Sequence, residues 1–173
     1  MGKQALYTIG YEGAAPDDFW ATLLASGVRT LVDIRDVPMS RKPGFSKKAL
    51  GQAADAHGLR YVHLGGLGDP KEGRDAAKAG KHSLFVKIFA AHMMTQEALS
   101  GLTEAIDLSL AAPSCLLCFE RNHENCHRSI VASHMNVRES FKVTHLGVRA
   151  GLALKSSRTG EHHGSGELVL GGV

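Results

Sequence analysis

Chemically reactive side chains are concentrated in the segment CFERNHENCHRS, residues 118 to 129. Thiol, carboxylate, imidazole and guanidinium groups serve nucleophilic catalysis, proton transfer and anion binding in enzymes. A helix is predicted to begin near His127, and a helix N-terminus attracts anions and lowers the pKa of a nearby thiol. We therefore expect Cys126 or Cys118 to be a nucleophile. Glu120 and His127 would transfer protons, and Arg128 would hold an anion.

A second group of candidate residues lies at the end of the β-branched run from Arg29 to Ile34. Asp33 and Arg35 place an acid and a base on one side of the strand, which predicts a catalytic Asp33 and a substrate-binding Arg35. The next residues form a concentrated basic region with aromatic rings that can stack on a base. The residues concerned are Arg41, Lys42, Phe45, Lys47, Lys48 and Tyr61. The region suits a nucleotide or a nucleic-acid strand; the alternative is a solvated loop in which Asp33 and Arg35 merely pair.

The cysteines also permit other roles. Thiolates and imidazoles that lie close together can hold zinc, so Cys118, His123, Cys126 and His127 form an alternative ligand set. Their spacing matches no standard zinc pattern, and we therefore expect no metal and no cofactor. Cys115 and Cys118 are spaced like a redox pair, but residues three apart in a strand point to opposite faces. A purely structural motif, buried in the core and at a helix start, is the remaining alternative.

The elements that position these residues alternate between apolar strands and amphipathic helices. This alternation predicts an α/β fold, a three-layer sandwich in which helices flank a mostly parallel sheet. Ligands bind beyond the carboxyl ends of such strands, so we expect both groups of candidate residues to share one cleft. The predicted strands cover residues 6–9, 29–34, 60–63, 114–119 and 142–145, and the predicted helices begin near Pro16, Ser46, Leu84, Gln96 and His127.

Length and composition predict a single domain over residues 1–147 of the 173-residue chain. Residues 148–173 read as a C-terminal tail that is flexible or adds an edge strand around Leu168, and residues 65–81 as a functional lid or a mobile loop. Three cysteines are a poor disulfide framework, and neither a signal peptide nor a membrane span is visible. We therefore predict a cytoplasmic protein with free thiols. The net charge of +3 permits an anionic ligand without demanding nucleic acid.

The sequence resembles the domain-of-unknown-function 488 family over about residues 5 to 147. The resemblance is carried by TIGYEG, LVDIRDVPMSRKPGFSK, YVHLGGLGD and CLLCFERNHENCHRSIVA, and the spaced Cys-x-Glu followed by Cys-His-Arg is that family's hallmark. It implies an α/β domain and no particular reaction. The site that it implies consists of Asp33, Arg35, Ser40, Arg41, Phe45, Tyr61, Cys118, Glu120, Cys126, His127 and Arg128.

Two functions remain open at the level of sequence. The first is an enzyme that acts on an anionic substrate, a nucleotide or nucleic-acid component. The second is a non-catalytic nucleic-acid-binding module. A weaker likeness to rhodanese and the cysteine phosphatases, in which a strand ends in Cys before an anion-binding loop, adds a rhodanese-like sulfur- or phosphate-handling domain as a further alternative.

Overall fold

The computed structural model describes residues 2–160, which form one five-stranded sheet and its helices. All strand pairs of this sheet are parallel. The strands are β1 (Gln4–Gly10), β2 (Thr30–Asp33), β3 (Arg60–His63), β4 (Ser114–Cys118) and β5 (Phe141–Leu146). The helices are α1 (Pro16–Ala25), α2 (Lys47–Ala56), α3 (Lys71–Lys78), α4 (His82–His92), α5 (Gln96–Ala111), α6 (His127–Arg138) and α7 (Leu152–Gly160), with 3-10 turns at Gly65–Leu67 and His123–Asn125.

Two apolar cores, one on each face of the sheet, make the predicted three-layer sandwich, and the predicted fold class is confirmed. Helices α1 and α2 cover the face that includes Leu31 and Leu117. Helices α3 to α6 cover the opposite face, which includes Val32 and Leu116. Neighbouring residues of one strand thus enter different cores, because side chains alternate across a strand.

The strand order β3-β2-β4-β1-β5 places the carboxyl ends of β1, β2 and β4 side by side. β4 lies between β1 and β2, with Gly10 opposite Cys118 and Asp33 opposite Leu117. The chain leaves β1 toward the β2 side and leaves β4 toward the β5 side. Such a reversal of direction opens a crevice above the strand ends, where α/β proteins bind ligands.

Local signals explain how helices α1 and α2 begin and end. Pro16 occupies the first turn of α1, where a missing N–H costs nothing, and Gly27 follows the helix with a φ of 77°. Ser46 precedes α2, as predicted for a cap. Its hydroxyl instead donates to the carbonyl of Ser40 and accepts from the Ser40 N–H, so it ties the basic loop to the start of the helix.

Two segments are more ordered than the sequence indicated. Residues 65–81, expected to be a lid or a mobile loop, contain a 3-10 turn and α3, which packs on α4. Within the segment expected to be a tail, α7 packs on α1, and the Asp18 carboxylate accepts the N–H groups of Gly151 and Ala153 at 2.8 and 3.0 Å. The proposed edge strand near Leu168 lies outside the described residues. Within residues 2–160, no helix has the length and hydropathy needed to cross a bilayer.

Candidate active site

The end of β4 and the start of α6 bring four reactive side chains together, which we call the reactive cluster: Cys118, Glu120, Cys126 and His127. Cys118 closes β4, and Cys126 precedes the first residue of α6 with an extended backbone. The loop between them folds back over β1, where a Cβ on Gly10 would overlap the carbonyl group of Glu120. Glycine at this position therefore permits the close approach that forms the cluster.

Both thiols of the reactive cluster donate to one carboxylate oxygen, Oε2 of Glu120. The distances from this oxygen are 2.8 Å to Sγ of Cys118 and 3.2 Å to Sγ of Cys126. Nδ1 of His127 lies 3.5 and 3.9 Å from the same two sulfur atoms. On the other side of its ring, His127 Nε2 donates to the Ile34 carbonyl at 3.0 Å, which fixes the ring orientation and ties α6 to the end of β2.

Burial dominates the protonation of the thiols. It raises the pKa of both thiols, and the Glu120 carboxylate adds to this effect at Cys118, as the neighbouring sulfur of Cys118 does at Cys126. The opposing effects are the hydrogen bond from Cys126 at Cys118 and the interaction with His127 at Cys126. The predicted lowering of a thiol pKa by the helix N-terminus is therefore wrong for Cys126, because Cys126 is only 2% exposed and desolvation outweighs the helix dipole. The nucleophile role of these cysteines stays a prediction, now with protonated thiols as its starting state.

The charged groups of the reactive cluster are Glu120 and His127, whose pKa values are shifted in opposite directions. Burial raises the pKa of Glu120, but the hydrogen bonds from the Cys118 thiol, its own backbone N–H and the Cys126 thiol, together with the charge of His127, outweigh it, and the net direction is downward. Burial lowers the pKa of His127, whereas the interactions with Cys126, the Ile34 carbonyl and Glu120 raise it to about 9. At neutral pH the cluster consequently pairs a carboxylate with an imidazolium between two protonated thiols.

Asp33 and Arg35 form a buried ion pair at the end of β2. Nε and Nη2 of Arg35 donate to the two carboxylate oxygens of Asp33 at 2.8 and 2.7 Å. The Tyr61 hydroxyl donates to the same carboxylate at 2.6 Å. Arg35 Nη1 extends to the Phe45 carbonyl and the Tyr11 hydroxyl. The pair is therefore held in place from several sides. The hydrogen-bond partners described for the Asp33 carboxylate are Arg35 and Tyr61 of the same chain.

A cavity of about 680 Å³ opens above these strand ends, and its wall contains parts of both predicted groups. Cys118, Glu120 and His127 form one part of the wall, and Arg35, Ser40 and Arg41 form another. The predicted groups thus meet in one cleft. The full lining is Tyr11, Arg35, Asp36, Val37, Met39, Ser40, Arg41, Lys42, Asp69, Arg74, Lys78, Cys118, Phe119, Glu120 and His127.

Five predicted site residues lie outside this lining: Asp33, Phe45, Tyr61, Cys126 and Arg128. Phe45 is fully buried and stacks on Tyr11 with ring centroids 4.5 Å apart, so it supports the wall from behind. The guanidinium of Arg128 is also buried and donates to Thr8 and to the carbonyls of Glu120 and Arg121. In the structure it anchors the loop between β4 and α6.

The cavity also contains residues that the sequence analysis did not single out. Asp69, Arg74 and Lys78 come from the segment read as a loop, and Phe119 is 46% exposed just after β4. Asp69 is 7% exposed, and its Oδ1 has no hydrogen-bond partner. Burial raises the pKa of Asp69 to about 6, against the lowering effect of His127 and Arg74. The helical pattern KEGRDAAK was the available signal for predicting α3, which carries Arg74 and Lys78.

Comparison with known proteins gave one match. The family model described as domain of unknown function DUF488 matches residues 15–135, which contain the reactive cluster and the Asp33–Arg35 pair. No curated protein and no solved structure matched the chain significantly.

Proposed function

We propose an enzymatic function for this chain, which belongs to the family of the domain of unknown function DUF488. The substrate is an anionic small molecule of the nucleotide class that binds in the cavity, and the reaction takes place next to Cys118, Glu120 and His127. The observation that carries the proposal is the cavity wall itself, because it joins cationic side chains to acid–base groups in a space of about 680 Å³. Ligand-binding pockets have volumes of about 300–1,000 Å³.

Three cations of the cavity wall suit the binding of a negative charge. The ion pairs of the described residues include Arg35 and Arg74, which are neutralised by Asp33 and Asp36, but not Arg41, Lys42 or Lys78. A guanidinium can bind phosphate through two parallel hydrogen bonds, whereas a lysine acts as a point charge. Arg41 is therefore the residue that we assign to orient the anion, with Lys42 and Lys78 adding attraction.

Apolar residues of the same wall suit the remainder of a nucleotide. Phe119 is 46% exposed, and Met39 and Val37 are exposed beside it in the cavity lining. An exposed aromatic ring offers a stacking surface to any base. Phe119 thus replaces the buried Phe45 and the half-buried Tyr61, both outside the cavity lining, as the aromatic residue that we assign to a base.

Proton transfer in this enzyme is assigned to Asp69 together with the reactive cluster. A carboxyl group whose pKa is raised to about 6 can accept and return a proton near neutral pH. Pairs of groups with pKa values pushed apart by their surroundings are typical of acid–base sites.

The three free cysteines suit a reducing compartment, which supports the cytoplasmic location that we propose.

Calorimetric titration with adenosine monophosphate and with inorganic phosphate at low ionic strength tests the binding step. We expect the natural chain to bind the nucleotide and Arg41→Ala to bind it at least about ten-fold more weakly, since a charge-assisted hydrogen bond contributes about 1.5–3 kcal/mol. The matched controls are Lys47→Ala and Lys48→Ala, exposed cations of α2 outside the cavity. No binding of either probe at millimolar concentration, or equal losses in all three variants, contradicts the proposal.

Binding of a single-stranded oligonucleotide distinguishes the non-catalytic alternative from the proposed enzyme. A nucleic-acid-binding module would bind the oligonucleotide but not the mononucleotide, with Lys47→Ala and Lys48→Ala as harmful as Arg41→Ala. For the enzyme, Asp69→Asn keeps nucleotide binding and loses turnover of whichever phosphate ester the natural chain hydrolyses or transfers in a substrate screen. Binding without turnover of any ester in that screen, together with the module's pattern of losses, would reject the enzyme.

A further inference from the structure

The reactive cluster has the composition of a transition-metal site. Two thiols, one imidazole and one carboxylate offer four ligand atoms that lie within 4.8 Å of one another. Zn²⁺ accepts sulfur, nitrogen and oxygen ligands of this kind in a tetrahedron. Three of the four residues are buried, so a bound ion would be largely shielded from solvent.

The separations between the ligand atoms fit such an ion. Bonds of about 2.0–2.3 Å to a tetrahedral ion place the ligand atoms about 3.3–3.8 Å apart. The sulfur–nitrogen distances from His127 are 3.5 and 3.9 Å, and the sulfur–oxygen distances from Glu120 are 2.8 and 3.2 Å. A small outward shift of the carboxylate would therefore bring the two sulfur–oxygen distances into this range, and all four ligand atoms already lie within 4.8 Å of one another. The half-buried Glu120, the most accessible of the four, has the freedom for this movement.

The second nitrogen of His127 is already arranged as metal sites require. Its Nε2 donates to the Ile34 carbonyl at 3.0 Å, and a carbonyl oxygen can only accept. When a metal ion displaces the Nδ1 proton of the imidazolium, the remaining proton is held on Nε2, and the Nδ1 lone pair is directed toward the two sulfur atoms. Ligating histidines are commonly oriented by such a hydrogen bond from the other ring nitrogen.

Charge supports the same interpretation. A divalent cation with two thiolates and one carboxylate leaves one net negative charge, and the buried guanidinium of Arg128, which donates to the Glu120 carbonyl, lies beside it. The anchoring role of Arg128 thus also places a positive charge next to the cluster.

We infer that Cys118, Glu120, Cys126 and His127 bind a divalent transition-metal ion of the zinc class at the wall of the cavity. This ligand set differs from the alternative set derived from the sequence. His123 stacks on His145 at a centroid distance of 3.7 Å and contacts Ser129 through Nδ1, and Glu120 takes its place in the cluster. Cys118, Glu120 and His127 also line the cavity, so the ion would face the space where we propose that an anion binds. A zinc ion there supplies Lewis-acid chemistry.

Metal binding by the purified chain tests this site directly. Reduced, metal-free protein is titrated with Zn²⁺ in competition with a chromophoric chelator, and with Co²⁺, whose thiolate charge-transfer absorption reports sulfur coordination. We expect one equivalent of each ion, thiolate absorption with Co²⁺ and a raised Tm in the zinc-bound protein. A chain that binds no stoichiometric Zn²⁺ at micromolar concentration, or binds Co²⁺ without thiolate absorption, overturns the inference.

Matched cysteine variants show whether the ion occupies this cluster. Cys126→Ala removes a ligand and should weaken Zn²⁺ binding at least about 100-fold, since even outer-shell changes cost about 10–100-fold. Cys115→Ala removes another buried thiol, which lies in the same strand as Cys118 but packs in the core beneath α1 and α2, and it should keep one equivalent. Glu120→Gln, at the half-buried position, serves if Cys126→Ala does not fold, and it should also weaken binding. Equal affinity in all variants means adventitious binding elsewhere.

The metal site does not depend on the proposed enzymatic function, and each of the two proposals can be rejected without the other. Arg41→Ala should lose nucleotide binding while it keeps one equivalent of Zn²⁺, because Arg41 lies outside the cluster. Zinc binding without any nucleotide binding would reject the enzyme alone. Nucleotide binding without zinc would reject the metal site alone.

Discussion

Asp69 lies beside the cavity with one carboxylate oxygen that no hydrogen bond satisfies. Its pKa of about 6 in the folded chain exceeds the ordinary value of 3.8, chiefly because of burial. The folded state therefore binds the proton more tightly than the unfolded state does, and the free energy of unfolding falls as pH rises from about 4 to 6. A group that costs stability in its ionised form is a candidate for function rather than for folding.

Asp69→Asn should consequently stabilise the chain above pH 6. We expect a gain of about 1–2 kcal/mol at pH 8, after discounting for solvent screening, and no gain below pH 4. Chemical denaturation at the two pH values measures it. The control Asp107→Asn, an exposed carboxylate of α5, should change little at either pH. A destabilised Asp69→Asn chain at pH 8 would contradict the assigned cost of the buried carboxylate.

Replacement of Asp33 should destabilise the chain, in contrast to replacement of Asp69, because Asp33 and Arg35 neutralise each other. Asp33→Asn leaves the buried guanidinium of Arg35 without its counter-charge and should destabilise the chain by about 3–5 kcal/mol. Tyr61→Phe removes only one neutral donor to the same carboxylate and should cost about 1 kcal/mol. Equilibrium unfolding of both variants gives the comparison. Similar small losses in the two variants would show that the ion pair is not a structural requirement.

At the scale of elements, the reactive cluster depends on how closely β1 and the loop after β4 approach each other. Gly10 ends β1 directly beneath the Glu120 carbonyl, which also accepts from Arg128. Three elements, β1, β4 and α6, thus meet at a position that has no room for a side chain. The geometry of the cluster is set by this contact as much as by its own residues.

Gly10→Ala should therefore displace the loop that carries Glu120. We expect a loss of roughly 2–4 kcal/mol in stability, because the added methyl group overlaps backbone that cannot rotate away, together with weaker zinc binding. Chemical denaturation and the chelator competition measure the two effects. Gly147→Ala is the matched control, since a Cβ there meets no atom within 4 Å. An unchanged Gly10→Ala protein would refute the close-approach argument.

At the scale of the whole molecule, the two cores share the same strands. Leu31 and Val32 are adjacent in β2, yet they enter opposite cores, and Leu116 and Leu117 repeat this arrangement in β4. If one core unfolds, the strands lose packing on that face, and the other core loses the sheet on which it packs. The described residues should behave as one cooperative unit.

Unfolding monitored by two probes tests this cooperativity. Trp20, the single tryptophan, lies in the core beneath α1 and reports one face of the sheet by fluorescence. Far-UV circular dichroism is dominated by the helices, most of which cover the other face. We expect coincident midpoints in urea. Midpoints that differ beyond experimental error would mean that the two faces unfold separately.

The sequence by itself determined the order and type of most elements, and it placed the four residues of the reactive cluster in one short segment. Apolar periodicity, Pro16, Gly27 and Gly58 are local signals, and such signals predicted the observed bounds of β3 and the observed start of α5. The reactive cluster could also be predicted from the sequence, because Cys118 and His127 are close in the chain, one at the end of a predicted strand and the other at the start of a predicted helix. The family was identified from the same motifs.

Tertiary structure decided which of these side chains face the cavity and in what protonation state. Arg128 and Phe45 carry chemistry by type, but contacts with residues distant in the chain turn them into internal supports. Asp69 has no motif, and only the fold brings its carboxylate beside the cavity, where it is buried next to Gly73 of α3. The pKa of each thiol likewise depends on desolvation by several elements. Burial is a property of the assembled fold, and no local pattern encodes it.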